Sequence, residues 1–205
     1  MIVIIDYGMG NLGSIANMLK KVGVKGIISS DISVIEQADK LILPGVGAFD
    51  NGMKKLAELG MIDLLNAKVI QEKTPVLGLC LGMQLLTRKS EEGNLPGLGW
   101  LEGETIRFNF EANEQRLKVP HMGWNYIHVK QQSKLFADMP EESRFYFVHS
   151  YHLVGLDQQN VLATTFYGYE FPSIVMKENI MGAQFHPEKS HKFGLRLLKN
   201  FVEHF

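Results

Sequence analysis

Pro75-Val76-Leu77-Gly78-Leu79-Cys80-Leu81-Gly82-Met83-Gln84 begins as an apolar strand and ends as the first turn of a helix, with the only cysteine of the chain at the junction. Small residues two positions before and two after a nucleophile are the mark of a nucleophile elbow, a sharp bend that lifts the side chain above the edge of a sheet. Only small neighbours avoid a clash there. A helix beginning directly after Cys80 would aim amide N–H groups and a positive dipole end at the sulfur, favouring negative charge on it. A buried structural thiol is the alternative for any free cysteine. Glycines on both sides at a strand-to-helix junction argue against it.

The same alternation extends outward in both directions. Toward the N-terminus, Ile2 to Asp6, Lys25 to Ile28 and Lys40 to Leu43 read as short strands, the last stopped by Pro44-Gly45. Between them, Leu12, Ile15, Ala16, Leu19 and Val22 recur at helical spacing, and Phe49 to Gln71 reads as a helix broken near Gly60. The cysteine helix is expected over Gly82 to Lys89. Strands alternating with helices predict an α/β fold with a doubly wound, mostly parallel sheet covered on both faces. The second half changes character. Glu104 to Phe108, Trp124 to Val129, Arg144 to Phe147, Val161 to Phe166, Ser173 to Lys177 and Ile180 to Phe185 read as strands separated by turn residues, predicting antiparallel extensions or caps. His191 to Phe205 closes the chain as a helix. No low-complexity linker, repeat or charge block interrupts it, so one domain is expected over residues 1–205.

Composition narrows the function classes. The 205 residues are 45% apolar with a net charge of −1, and basic residues never run beyond pairs such as Lys54-Lys55. That is no footprint for nucleic acid. No apolar run approaches the roughly 18–20 residues a membrane helix needs, and Ile2 to Asp6 lacks the basic flank of a signal peptide. One cysteine cannot form an internal disulfide. A reducing cytoplasm is the expected compartment.

A thiolate nucleophile needs a base, and the base needs an orienter. Seven histidines compete. His186 follows the strand Met181-Gly182-Ala183-Gln184-Phe185 and precedes Pro187-Glu188. Proline biases the residue before it toward extended backbone, so His186 and Glu188 project together at i and i+2. Glu188 can hold one imidazole nitrogen while the other faces Cys80, giving a Cys80–His186–Glu188 triad. Attack on an amide also creates an oxyanion that needs preorganised N–H donors. Pro44-Gly45-Val46-Gly47 follows a neighbouring strand and opens at the same sheet edge, so the Gly47 and Leu81 amides are the candidates. His149-Ser150-Tyr151-His152 could suggest a metal, but no cysteine or acid cluster completes four ligands. No metal and no organic cofactor are expected. Gly8-Met9-Gly10-Asn11-Leu12-Gly13, with Asp31 eighteen residues beyond, matches a dinucleotide-binding pattern; a tight strand-to-helix turn explains the glycines equally well.

Asp6-Tyr7-Gly8-Met9-Gly10-Asn11, Pro44 to Gly47, Gly78 to Gln84, Pro120-His121-Met122-Gly123-Trp124-Asn125, Tyr146 to Tyr151 and Gln184 to Ser190 together make the chain resemble the class I, triad-type glutamine amidotransferases. Within them it looks most like the glutaminase subunits of imidazole glycerol phosphate synthase. The resemblance implies a flavodoxin-like fold of that class and hydrolysis of glutamine to glutamate and ammonia. It implies glutamine bound near Gln84, His149, Ser150 and Tyr151. It also implies a Pro44–Gly47 segment that must switch to complete the oxyanion hole, so that the isolated subunit is nearly silent. The implied partner is a (β/α)8-barrel cyclase forming a heterodimer, with Asn11, Trp124, Tyr146 and Lys189 near the docking face and the Gly8–Gly13 turn as an interface element. Histidine biosynthesis is the implied pathway; supply of ammonia to sugar amidation in surface-polysaccharide synthesis is the alternative. Three other classes stay open: a dinucleotide-binding protein, a cysteine peptidase on the same sheet, and a catalytically idle docking subunit.

Overall fold

In the first eighty residues, four-residue aliphatic runs lie between amphipathic stretches, and each run becomes a strand of one sheet. The computed structural model describes residues 1–110 and 117–205. Strands β1 (Ile2–Ile5), β2 (Gly26–Ser29), β3 (Lys40–Leu43) and β4 (Val76–Leu79) alternate with helices α1 (Leu12–Val22), α2 (Ile32–Glu36), α3 (Phe49–Glu58) and α4 (Met61–Asn66). Helix α5 (Leu81–Leu85) follows β4 directly. The second half supplies β5 (Glu104–Arg107), β6 (His121–Tyr126), β7 (His128–Val129), β8 (Arg144–His149), β9 (Tyr151–Val154), β10 (Val161–Tyr167), β11 (Tyr169–Lys177) and β12 (Ile180–Ala183), then helix α6 (His191–His204).

The main sheet runs β2-β1-β3-β4-β12-β11-β10-β7. From β2 to β12 every pairing is parallel; from β12 to β7 every pairing is antiparallel. The mixed sheet predicted from sequence is therefore present. Strands β5 with β9, and β6 with β8, form two antiparallel pairs outside it. Period-two alternation sends side chains to two cores. Ile2, Ile4, Ile42, Leu77, Leu79 and Met181 face the side covered by α1 and α6, whereas Val3, Ile5, Leu41, Leu43 and Val76 face the side covered by α2 to α5.

Some expected boundaries moved. The cysteine helix ends at Leu85 instead of running to Lys89, because tertiary partners claim the carbonyls that would continue it. Leu98 and Leu101 donate to the Leu85 and Leu86 carbonyls, and Arg88 donates to Gly103. The strand expected from Trp124 starts at His121 and is interrupted at buried Ile127. The strand expected from Arg144 runs on to His149, that from Ser173 begins at Tyr169, and that from Ile180 stops at Ala183. The break expected near Gly60 is present, with Gly60 left-handed at φ 64° between α3 and α4. Helix α2 and strand β9 carried too little periodicity to be read.

Candidate active site

The geometry begins with strand order. Strand β4 lies between β3 and β12 and parallel to both, so the segments leaving all three emerge at one edge of the sheet. Those segments are Pro44–Gly47, Cys80 and Gln184–His186. Ligand sites of parallel sheets form at such carboxyl edges.

Cys80 has φ 53° and ψ −110°, a conformation that non-glycine residues adopt only where the surroundings enforce it. Enforcement comes from both sides. Its N–H donates to the Ala183 carbonyl at 2.8 Å, and its carbonyl accepts from Met83 and Gln84 inside α5. A Cβ at Gly78 would lie 2.7 Å from the Gly82 oxygen, and one at Gly82 would run into the Leu43 carbonyl. Both flanking glycines are thus required by packing, and the elbow expected from sequence is formed.

His186 is buried, and its Nδ1 lies 2.9 Å from Glu188 Oε1, whose side chain is equally buried. Among the described residues Nε2 has no hydrogen-bond partner, and His186 lines the same pocket as Cys80. Burial works against the imidazolium, but the neighbouring Cys80, and then the hydrogen-bonded Glu188, outweigh it and push the His186 pKa up to about 10. The backbone fixes the ring's placement. His186 N–H donates to the Tyr146 carbonyl at 2.9 Å, and Ser190 Oγ donates to the His186 carbonyl while accepting from the Tyr146 N–H.

The pocket over Cys80 holds about 260 Å³ and is lined by Gly47, Gln84, His149, Ser150 and Tyr151 among others. Every substrate-contact residue named from the resemblance is therefore at one cavity. The two candidate oxyanion donors are brought together only in part. Gly47 lines the cavity with φ 126°, but the Leu81 N–H is engaged by the Gly45 carbonyl at 3.3 Å. Trp124, Tyr146 and Lys189 cluster on an adjoining surface. Trp124 stacks on His191 with ring centres 5.5 Å apart, and Lys189 Nζ lies 5.6 Å over the Tyr146 ring. Asn11 is exposed at the start of α1, which packs against the Pro187–Lys189 turn.

Two residues near Cys80 went unread in the sequence. Gln184 Nε2 lies 3.9 Å from Cys80 Sγ, and its Oε1 accepts from Gln84 Nε2 at 3.2 Å. Its spacing of two from His186 on an extended segment was the available signal. Tyr7 is fully buried and donates to the Pro44 carbonyl at 2.6 Å, with its phenol pKa raised by burial and then by Cys80. The dinucleotide pattern has another use here. A Cβ at Gly10 would meet Pro44 Cβ at 3.1 Å, so that turn packs on the oxyanion segment, and Asp31 caps α2 through the Ser33 N–H. His152, on which the sequence supported no conclusion, is buried beside Phe108 and reaches the Tyr169 hydroxyl at 2.9 Å.

A thiol at a sharp strand-to-helix bend, a buried imidazole and a carboxylate behind it lie together on this sheet, and the sequence model of the family described as Glutamine amidotransferase class-I matches residues 3–205; the chain belongs to that family. Its relatives narrow the comparison. It is 57% identical over 203 residues to "Imidazole glycerol phosphate synthase subunit HisH 2" of Methanococcus maripaludis, covering 99% of each chain. It is 52% identical to the HisH 2 subunit of Pseudomonas aeruginosa, covering 99% of each chain. It is 49% identical to the HisH subunit of Sulfurimonas denitrificans, covering 100% of this chain and 98% of that one. A crystal structure of a glutamine amidotransferase superposes with a TM-score of 0.74 at 22% identity, over 99% of this chain and 98% of that one. A glutamine amidotransferase from Thermotoga maritima gives 0.70 at 16%, over 98% and 96%. These two show the fold.

Proposed function

We propose that this chain is the glutaminase subunit of an imidazole glycerol phosphate synthase, acting through Cys80, His186 and Glu188. The observation that carries the reading is Cys80 held at positive φ beside an imidazole whose far nitrogen is fixed by a buried carboxylate. His186 takes the proton of Cys80, and the thiolate attacks the δ-carboxamide carbon of glutamine. The tetrahedral oxyanion is stabilised by the Gly47 and Leu81 amides. His186 then protonates the departing nitrogen, the C–N bond breaks, and ammonia leaves a glutamyl thioester. Water, deprotonated by His186, hydrolyses the thioester to glutamate and restores the thiol. No step needs a metal or organic cofactor.

The Gly45 carbonyl on the Leu81 N–H supports a resting state, since the oxyanion has one of its two donors withheld. Turning that peptide away would complete the hole. Removing one such donor typically costs about 100–1,000-fold in rate. The docking surface is read from β6, where Met122, Trp124 and Tyr126 share an exposed face and Phe166 lies nearby, also exposed. Contiguous exposed apolar side chains of this kind mark interfaces. The partner is a (β/α)8-barrel cyclase that consumes the ammonia in histidine biosynthesis, with Asn11 and Lys189 at the rim. The compartment is the cytoplasm; among the described residues no helix is long and apolar enough to cross a membrane.

The test is co-purification followed by turnover in the complex. Cys80→Ala should abolish glutamine-dependent turnover and leave turnover with added ammonia intact. Retained glutaminase activity in that variant would refute the mechanism. A co-purifying partner that amidates a sugar would overturn the pathway and leave the chemistry standing.

A further inference from the structure

Behind the cavity lies a line of side-chain hydrogen bonds that the mechanism above does not use. It starts at Asn125, whose amide orientation is fixed by the backbone. Asn125 Oδ1 accepts from the Tyr126 N–H at 2.8 Å, and Nδ2 donates to the Phe166 carbonyl at 2.8 Å. The second Nδ2 hydrogen reaches His121 Nε2 at 3.2 Å, so that nitrogen is the acceptor and His121 carries its proton on Nδ1. His121 Nδ1 lies 3.0 Å from His149 Nε2.

The other end gives the same answer independently. His149 Nδ1 lies 2.8 Å from the Tyr151 carbonyl, which can only accept, so the His149 proton is also on Nδ1 and its Nε2 accepts. The Tyr151 carbonyl takes a second bond, from Gln84 Nε2 at 3.1 Å. The remaining Gln84 amide hydrogen goes to Gln184 Oε1 at 3.2 Å, and Gln184 Nε2 approaches Cys80 Sγ. With both of its N–H groups engaged, Gln84 is left with its oxygen as the group that can accept from a ligand in the pocket.

We propose that His121 and Asn125 are positioning residues for glutamine: a proton-ordered chain, Asn125 to His121 to His149 to the Tyr151 carbonyl, holds the Gln84 amide with its oxygen toward the substrate. The direction of the chain matters because it admits one arrangement of protons. A proton added to His121 Nε2 would face the Asn125 N–H, donor against donor. Burial keeps both rings neutral, with the His121 pKa lowered to about 4 and that of His149 well below the usual range. Aromatic contacts pin the rings. His121 stacks on Phe147 at 4.8 Å and on Tyr167 at 4.1 Å.

This inference rests on the glutaminase reading, and one half of its test does not. In the full chain labelled with ¹⁵N-histidine, NMR at neutral pH should show both His121 and His149 protonated at Nδ1 and bare at Nε2. Either ring charged, or protonated at Nε2, overturns the proposal. The second half is kinetic, in the complex with the ammonia-consuming partner. His121→Phe, which keeps the ring and loses the donor, should raise the glutamine KM about tenfold or more with ammonia-dependent turnover unchanged. His121→Asn can place an N–H where Nδ1 was and should recover most of that loss. Equal behaviour of the two variants would reduce His121 to packing and refute the role. Should His121→Phe fail to fold, the tautomers together with His121→Asn decide. Correct tautomers in a chain without glutaminase activity would count against the glutaminase reading instead.

Discussion

At the scale of single residues, the site separates histidines by environment. His186 lies between Cys80 and Glu188, which both favour its charged form, whereas His121 and His149 are buried among aromatic rings and stay neutral. Replacing Glu188 by glutamine should leave the fold intact and lower the glutaminase kcat by about 100- to 10,000-fold, as loss of the orienting carboxylate does in other triads. Steady-state assay of the complex checks it, and an effect under tenfold would remove Glu188 from the mechanism. The neutral pair makes a separate prediction about acid stability. In the unfolded chain both rings titrate near 6.5, while folded His121 resists until about 4. Between those values the unfolded state binds more protons, so stability falls as pH drops through that window. The denaturant midpoint of the wild-type chain should therefore decline from pH 6.5 to 4.5 more steeply than that of His121→Asn. His152 and His186 face His149 in both proteins and cancel in the comparison.

At the scale of elements, the glycines make opposite predictions. Gly82→Ala forces a methyl into the Leu43 carbonyl and should cost about 3 kcal/mol or more, with loss of the elbow. Gly13 lies inside α1 with nothing near its would-be Cβ, so Gly13→Ala should stabilise by about 0.5–1 kcal/mol. Thermal melts of the two variants test both, and a destabilising Gly13→Ala would revive a special role for the Gly8–Gly13 pattern. The contrast also shows what could be read in advance. The meeting of Cys80 and His186 at one cavity, with Glu188 bonded to the imidazole, was legible because the proposed chemistry demands particular residue types at a bend and beside a proline. The four parallel strands before residue 80 were legible from aliphatic runs between turns. Strand β9 was not, because Tyr151 to Val154 gets its partner from residues 104–107, a pairing no local pattern contains. The end of α5 at Leu85 is set by distant donors in the same way. His121 and Asn125 stood in a quoted motif, yet only three-dimensional contact gives them a task.

At the scale of the whole molecule, the exposed face of β6 and the rim around Tyr146 and Lys189 lie next to the catalytic pocket. Buried aromatic anchors dominate interfaces, so Trp124→Ala should weaken the complex by about 2 kcal/mol or more, roughly 30-fold in Kd. Calorimetric titration of the partner with the variant measures this, and unchanged affinity would move the docking surface elsewhere.

Cys80 hangs from β4, the fourth of the eight strands of the main sheet, with neighbours hydrogen-bonded on both flanks. Fraying at β2 or β7 cannot reach it. The Cys80 amide, closed onto Ala183, should then exchange its hydrogen with solvent only when the entire molecule opens. Damage confined to the outer strands of the main sheet should leave the strained bend at Cys80 in place until the last cooperative structure melts.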